Sequence, residues 1–248
     1  MQPTEQSAIE YSIILPCFNE EGALPPLVAE VDGVFRALGK PFEVVVVDDC
    51  STDGTARVAG ELSRQNPAVR LVRHLRNCGQ SAAVATGFRA ARGRVLVTLD
   101  ADGQNDPHDL PRLIERLTDV DVVIGVRARR HDSWVRKVSS RIGNGFRNLV
   151  TGDQVRDAGC ALRVLTSDVA RELPVFNGLH RFLPTLARYQ GFAVAEVEVN
   201  HRPRTSGVSK YGIGNRAFRG IYDCFAMRWW RARAVPARRF DATAETTS

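Results

Sequence analysis

The residues best placed to do chemistry are Asp100, Asp102 and Gln104, which follow the apolar segment 95–99. The two aspartates are two positions apart, so at the end of an extended strand they point the same way and repel each other unless a cation lies between them. Hard divalent cations prefer oxygen ligands and complete their shell with water and substrate phosphates. The pattern favours a Mg²⁺ or Mn²⁺ site that also holds a diphosphate. A solvated acidic turn, closed by a helix cap at 106–107, is the alternative.

A second pair of acids, Asp48 and Asp49, ends the valine-rich segment 42–47. An acid at the end of a second strand can accept hydrogen bonds from a nucleobase or a ribose hydroxyl. Capping of the following helix explains the polar residues 51–53, but it does not explain the two aspartates. A nucleotide is therefore an expected ligand.

These polar groups follow strands in a chain where strands and helices alternate. Apolar runs predict strands, and segments with helical spacing predict the helices between them, at 11–15, 24–38, 42–47, 55–65, 69–74, 80–92, 95–99, 110–117 and 120–126. Further along, the sequence predicts a loop that enters a strand at 157–163, a helix at 179–189 and a strand at 192–199. Such alternation predicts an α/β fold with a mostly parallel central sheet and helices on both faces. Because the polar clusters follow the strands, we expect them along one edge of the sheet, where ligands bind in folds of this class.

Length and composition fit one domain with a basic tail. A chain of 248 residues, 44% hydrophobic and 25% charged, can bury a sizeable core. The formal net charge is +6, but residues 201–240 alone carry ten Arg or Lys against one acid, a net of +9. This asymmetry indicates an anionic partner, either lipid headgroups, nucleic acid or a phosphorylated substrate. We expect a catalytic domain at 9–212, a basic amphipathic helix and tail at 213–240, and a disordered tail at 241–248.

The cysteines and the apolar segments bear on the compartment. Five scattered cysteines without CxxC spacing indicate reduced thiols in a cytosolic setting, and they suggest neither zinc nor disulfides. The polar residues 1–10 contain no secretory signal, and no run of about 18 apolar residues is present to span a membrane. We therefore expect a cytoplasmic protein.

A basic run at residues 127–147 carries seven Arg or Lys and one acid. On the helix predicted for 134–149, Arg136 and Ser140 are four positions apart and share a face. Guanidinium groups match phosphate oxygens, so Arg127, Arg136 and Ser140 form a candidate phosphate clamp. An exposed basic face is the alternative.

Four motifs in this order resemble those of family 2 glycosyltransferases. More narrowly, they look like the polyprenyl-phosphate glycosyltransferases, which include the dolichol-phosphate mannosyl- and glucosyltransferases. The motifs are Pro16-Cys-Phe-Asn19-Glu20, Val47-Asp48-Asp49-x-Ser-Thr-Asp53-Gly54-Thr55, Asp100-Ala-Asp102-Gly-Gln104-x-Asp-Pro107 and Gly207-x-Ser209-Lys210-Tyr211-Gly212. The resemblance covers about Ile9 to Met227. It implies a GT-A-type fold, a GDP- or UDP-linked sugar donor, a polyprenyl or dolichyl phosphate acceptor, and inversion at the anomeric carbon.

Carried over residue by residue, the resemblance implies roles for the motif residues. The nucleotide sugar would contact Pro16, Asn19, Glu20, Asp48, Asp49, Asp100, Asp102, Gln104, Ser209 and Lys210. The metal, Mg²⁺ or Mn²⁺, would be held by Asp100, Asp102 and Gln104, and the acceptor phosphate by Arg127, Arg136 and Ser140. Catalytic roles would fall to Asp102, Arg136, Arg204 and Lys210, the last two in a loop that closes over the donor. Gly103 and Asn105 depart from the family's commoner pattern.

The chemistry suits a phosphate acceptor. A lipid phosphate is already anionic, so its oxygen can attack without a general base when cations orient it. We therefore nominate no catalytic His or Glu. A family 2 transferase that acts on a saccharide hydroxyl is the rival enzyme, and it would need such a base. A non-catalytic protein that binds nucleotide sugars or RNA is suggested by the pI of about 9.4. Because the basic run lacks aromatic platforms, we expect no nucleic acid partner. A homo-oligomer is one of the assemblies that the sequence allows.

The C-terminal segment has a candidate membrane-binding face. On a helix predicted from Asn215 onward, one face collects Phe218, Ile221, Tyr222, Phe225 and Trp229, and arginines crowd the helix end. Aromatic residues beside arginines are typical of a helix lying in a membrane interface. We expect peripheral association with the inner face of the membrane. Packing of this face on the domain or on a partner subunit is the alternative.

Overall fold

The structure, a computed structural model, describes residues 9–128, 134–203 and 213–235, without the side chains of 134–142 and 213–219. Over these residues the strands are β1 (Tyr11–Cys17), β2 (Phe42–Asp48), β3 (Val69–Arg73), β4 (Val95–Thr98), β5 (Val122–Arg127), β6 (Arg163–Thr166) and β7 (Val194–Val199). The helices are α1 (Leu24–Leu38), α2 (Thr55–Gln65), α3 (Gln80–Ala90), α4 (Leu110–Arg116), α5 (Trp134–Thr151), α6 (Ser167–Glu172), α7 (Leu179–Tyr189) and α8 (Ile213–Arg233). A 3₁₀ turn, Pro107–Asp109, precedes α4, and Asp106 caps it by accepting a hydrogen bond from the His108 amide, as the capping alternative predicted.

The strands form one seven-stranded sheet in the order β3-β2-β1-β4-β6-β5-β7. All neighbouring pairs are parallel except those of β6, which runs antiparallel to β4 and β5. The predicted α/β fold with a mostly parallel sheet is therefore confirmed. Because β6 runs against its neighbours, its first residue, Arg163, lies opposite Thr98 at the edge where the parallel strands end.

The two faces of the sheet have separate cores, which explains the continuous apolar runs of the central strands. In β1 and β2, Ile13 and Val44 pack with α1 on one face, whereas Ile14 and Val45 pack with α3 and α7 on the other. All four side chains are buried. A strand covered on both faces cannot alternate regularly between apolar and polar residues, so the clusters of polar side chains follow the strands.

The sequence predicted the region after α5 least well. It indicates a loop at 157–163 that enters a strand, which the structure has as β6, but it gives no sign of the six-residue helix α6 that follows. Elements this short contain too few residues to show a strand or helix period.

Helix α8 packs on the domain with one face and exposes another. Cys224 and Met227 are buried in the core beneath it. Its exposed apolar residues are Ile221, Tyr222, Phe225 and Trp229, and α5 adds Phe146 and Leu149. The rings of Phe146 and Phe225 lie 6.4 Å apart between centroids. We call these six residues the α5–α8 apolar patch. None of the described helices combines the length and the apolar character needed to cross a membrane.

Candidate active site

The loops after β1 and β2 are fastened to each other beside the strand ends. Asn19 has a left-handed backbone (φ 56°), a conformation that Asn tolerates better than most residues. Its Oδ1 accepts a hydrogen bond from the Thr52 amide at 2.8 Å, and its own amide donates to Ser51 Oγ at 3.0 Å. The Glu20 amide donates to Thr55 Oγ1 at 2.8 Å. Ser51 and Thr52 thus hold the first loop, and the predicted capping of α2 is not their role.

Asp48 is completely buried at the end of β2. Its Oδ1 accepts a hydrogen bond from the Ser51 amide at 3.1 Å, and its Oδ2 accepts one from Arg73 Nε at 3.0 Å. Both oxygens are therefore used inside the protein, and Asp48 shapes the loop from beneath.

Asp49 organises the segment that leads from β3 into α3. Its Oδ1 lies 2.7 Å from His74 Nδ1 and accepts the Cys78 amide at 2.8 Å, and its Oδ2 accepts the Gly79 amide at 2.7 Å. His74 Nε2 lies 2.9 Å from Thr86 Oγ1. A carboxylate has about four acceptor positions, and these three contacts occupy three of them. The sequence interpretation did not include His74, whose role depends on pairing across β2 and β3.

The segment after β4 forms a tight acidic turn. The Gln104 amide donates to Asp102 Oδ1 at 3.1 Å, and the Asp100 amide donates to Asn105 Oδ1 at 3.3 Å. Gly103 has a φ of 73°, which strains any residue with a Cβ. The two departures from the family pattern, Gly103 and Asn105, therefore shape this turn.

Asp100 shows the electrostatic cost of the paired carboxylates. The pKa of Asp100 is raised from its usual 3.8 to about 6, mainly by burial and secondly by the negative charge of Asp102. The charge of Arg163 and a 2.7 Å hydrogen bond from Gln80 Nε2 act in the opposite direction. A divalent cation would relieve this repulsion, because it favours both carboxylates in their charged form. The donor set of two carboxylates and a carboxamide therefore fits Mg²⁺ or Mn²⁺.

The segment after β7 is tied to the acidic turn. His201 forms a β-bridge with Asn105, and its Nε2 lies 3.5 Å from Gln104 Nε2. The Arg202 amide donates to Gln104 O at 2.9 Å, and its guanidinium donates to Asp106 Oδ1 at 2.7 Å. We call residues 201–202 the tether. The sequence interpretation missed His201 as a neighbour of the predicted metal site, because the contact spans about a hundred residues of chain.

The predicted phosphate clamp is described in part. Arg127, at the end of β5, makes two hydrogen bonds of 2.7 Å to the carboxylate of Asp157. Gly159 permits this pairing, since a Cβ there would lie 2.9 Å from Arg127 Nη2. Arg136 and Ser140 lie on α5, but their side chains are outside the described part of the structure. Arg204, Ser209 and Lys210 also lie outside the described residues.

A cavity of about 170 Å³ opens between β4, β6, α3 and α7 beside Asp100. The polar residues of its lining are Gln80, Thr98, Asp100, Arg163, His180 and Arg181. His180 is held by Ser81, whose Oγ lies 2.7 Å from its Nδ1.

Residues 12–173 match the family model described as glycosyl transferase family 2. This chain belongs to glycosyl transferase family 2. The enzyme is 35% identical, over 240 residues, to a dodecaprenyl-phosphate galacturonate synthase of Rhizobium johnstonii, covering 94% of this chain and 71% of that protein. It is 38% identical, over 205 residues, to an undecaprenyl-phosphate 4-deoxy-4-formamido-L-arabinose transferase of Edwardsiella ictaluri, covering 82% of this chain and 63% of that protein. The glycosyltransferase thus spans about two thirds of the length of these relatives.

The solved structures show the fold. Glucosyl-3-phosphoglycerate synthase from Mycobacterium tuberculosis, solved with Mn²⁺ and uridine-diphosphate-glucose, superposes with a TM-score of 0.66 at 18% identity, over 92% of this chain and 81% of that chain. The predicted GT-A-type fold is confirmed, as is the predicted family, whose relatives named above use polyprenyl phosphates.

Proposed function

We propose that this glycosyltransferase moves a sugar from a nucleoside diphosphate to the phosphate of a polyprenyl lipid, with inversion at the anomeric carbon. The observation that carries the proposal is the convergence of three segments at one sheet edge: the loop around Asp49, the turn at Asp100 and Asp102, and the tether. The relatives that act on dodecaprenyl and undecaprenyl phosphate support the lipid acceptor.

The donor site follows the order of the strands along this edge. Pro16, Asn19, Glu20 and Asp49, at the ends of β1 and β2, are assigned to the nucleoside of a GDP- or UDP-linked sugar, with Asp48 as the buried support of the loop after β2. Asp100, Asp102 and Gln104, after β4, are assigned to the diphosphate and its metal ion. Arg204, Ser209 and Lys210 come after the tether in the sequence and are assigned to a loop that closes over the donor.

The residues assigned to the metal fit Mg²⁺ or Mn²⁺, as argued from the raised pKa of Asp100. When bound, such an ion offsets the negative charge that grows on the departing nucleoside diphosphate. Lys210 would add a second positive charge at the same group, and His201 lies next to Gln104 at the edge of this site.

The acceptor phosphate is assigned to Arg127, Arg136 and Ser140. Asp157 fixes the guanidinium of Arg127 in one orientation, which lowers the entropy cost of binding a phosphate. A phosphate oxygen that carries negative charge attacks the anomeric carbon without losing a proton, so the arginines need only orient it.

An acceptor hydroxyl is the second candidate, and one observation favours it. His180 lines the cavity beside Asp100, where a general base could act. If a hydroxyl were the acceptor, His180→Ala would abolish transfer. If a phosphate is the acceptor, the variant should keep turnover within about tenfold of the parent, since base catalysis contributes about 10² or more.

The reaction is assigned to the cytoplasmic surface of a membrane. The α5–α8 apolar patch leaves Trp229 and Tyr222 exposed by 62% and 77%, which supports a membrane contact over packing on the chain's own domain; packing on a partner subunit is the other alternative. Arg228, Arg231 and Arg233 are exposed on the same helix. Each basic residue near anionic lipid contributes about 1 kcal/mol, and the aromatic rings suit the interface.

A transfer assay with the purified full chain tests the proposal. The enzyme is incubated with Mn²⁺, a short polyprenyl phosphate, and UDP- or GDP-linked sugars in turn, and the lipid product is identified by mass spectrometry. Arg136→Ala should raise the KM for the lipid phosphate at least about tenfold, because a charge-assisted contact is lost, while the KM for the donor stays unchanged. A raised donor KM with an unchanged acceptor KM would contradict the acceptor assignment.

A further inference from the structure

Arg163 is a buried cation in the cavity beside Asp100. Only 4% of the residue is exposed, and its guanidinium donates to the His180 carbonyl oxygen at 2.6 Å. Among the described residues it has no ion-pair partner. Burying a charge without a partner costs several kcal/mol, so a buried, unpaired arginine indicates a role other than stabilising the fold.

Two other arginines near the site have acidic partners. The buried Arg147 meets Asp153 at 3.1 Å, and the partly exposed Arg127 meets Asp157 at 2.7 Å. Asp100 attracts Arg163 only at longer range. Arg163 therefore resembles a group held ready for a ligand.

The position of the cavity indicates which part of a substrate it receives. The residues assigned to the nucleoside lie at the ends of β1 and β2, and those assigned to the diphosphate follow β4. In the sheet, β6 lies next to β4. A donor laid out in this order puts its sugar over β6, where Arg163 lies. The cavity, of about 170 Å³, is on the scale of one monosaccharide.

Resting on the proposed function, we propose that this cavity binds an oxyanion carried by a substrate, and that this oxyanion is the carboxylate of a uronic-acid donor sugar. Guanidinium groups recognise carboxylates through paired hydrogen bonds. Arg181 lines the same cavity. Its guanidinium donates a hydrogen bond to the carboxylate of Asp223 on α8 at 2.7 Å, which holds it in place. A neutral sugar would leave Arg163 without a direct ion pair, because Asp100 attracts it only at longer range. The acceptor phosphate has the same chemistry and is the other source to be separated by experiment.

The test compares donors that differ only at C6: UDP-glucose with UDP-glucuronate, UDP-galactose with UDP-galacturonate, and GDP-mannose with GDP-mannuronate. Binding to the full chain is measured by calorimetry with Mn²⁺, without an acceptor. The parent enzyme should bind at least one uronate about 10- to 100-fold more tightly than its neutral partner, the range expected for a hydrogen-bonded charge. Arg163→Gln should remove this preference and leave the affinity for the neutral sugar within about threefold. Arg171→Gln, an exposed arginine of α6, is the matched control and should change nothing.

Several outcomes would overturn the inference. The inference is overturned if the parent enzyme binds neutral and uronate donors with equal affinity. It is also overturned if Arg163→Gln weakens the binding of both donors equally. If Arg163→Gln instead raises the acceptor KM and keeps the donor preference, the oxyanion is the acceptor phosphate. If that variant does not fold, Arg181→Gln, on the partly exposed start of α7, should lower the preference at least about threefold, and an unchanged preference would overturn the inference. Absence of transfer from every donor would contradict the proposed function, whereas the binding preference would still be measurable.

Discussion

Replacing Asp100 with asparagine should make the metal-free protein more stable while it destroys the response to metal. The raised pKa means that the folded chain holds the Asp100 proton more tightly than the unfolded chain. Below about pH 4 both forms are protonated, and between about pH 4 and pH 6 only the folded form keeps the proton, so stability falls as pH rises through this window. Above about pH 6 Asp100 is ionised in the folded chain as well, and the full loss of stability is present.

The size of the effect follows from the shift. A change from 3.8 to about 6 is about two units, which at about 1.4 kcal/mol per unit corresponds to at most about 3 kcal/mol. The real gain is smaller, because the residue is partly exposed and the hydrogen bond from Gln80 must be remade. For a domain of this size each kcal/mol moves Tm by about 2–4 °C.

Thermal unfolding at pH 8 with a chelator, and again with excess Mn²⁺, measures both effects. Asp100→Asn should raise Tm by several degrees in chelator, and Mn²⁺ should raise the Tm of the parent protein but not that of the variant. Asp168→Asn, on the exposed surface of α6, is the matched control and should leave both values unchanged. The reasoning is refuted if Asp100→Asn lowers Tm at pH 8 in chelator, or if Mn²⁺ stabilises the variant as much as the parent.

Three further changes should have separate outcomes. Asp157→Ala releases Arg127, so the KM for the lipid phosphate should rise more than the KM for the donor, and steady-state kinetics that show the reverse would contradict this role. Phe225→Ser with Trp229→Ser should weaken sedimentation with anionic liposomes and, because the Phe146–Phe225 ring contact is lost, lower Tm by only a few degrees, whereas unchanged pelleting would exclude the α5–α8 apolar patch as the anchor. Gly87→Ala drives a methyl group into β1, so unfolding in urea should show a loss of about 1–3 kcal/mol, and an unchanged midpoint would refute the packing.

The regular elements of the fold could be predicted because their signals are local. Helices α2 and α7 begin and end at the predicted residues, since their apolar spacing and flanking polar residues lie within one short window. The strand β6 could not be predicted as an antiparallel partner of β4, because four apolar residues carry no information about direction.

The candidate site divides in the same way. Asp100, Asp102 and Asp49 were predicted because each follows an apolar strand, and strand ends meet at one edge. His201 and Arg163 were missed because only the completed sheet brings them there: the first through the bridge to Asn105, the second through the reversed direction of β6. The buried position of Asp48 was also beyond prediction, since it depends on Arg73 from the next strand.

The central claim is that a lipid phosphate is the acceptor, and it is tested most directly by two acceptors that differ in that group alone. The full chain and Mn²⁺ are incubated with the best of the UDP- or GDP-linked donors and either a polyprenyl phosphate or the polyprenol of the same length. The products are identified by mass spectrometry. The account predicts a glycosyl polyprenyl phosphate from the first, no product from the second, and no product from either in excess chelator. Glycosylated polyprenol, or transfer to the phosphate that persists at full rate in chelator, would contradict it.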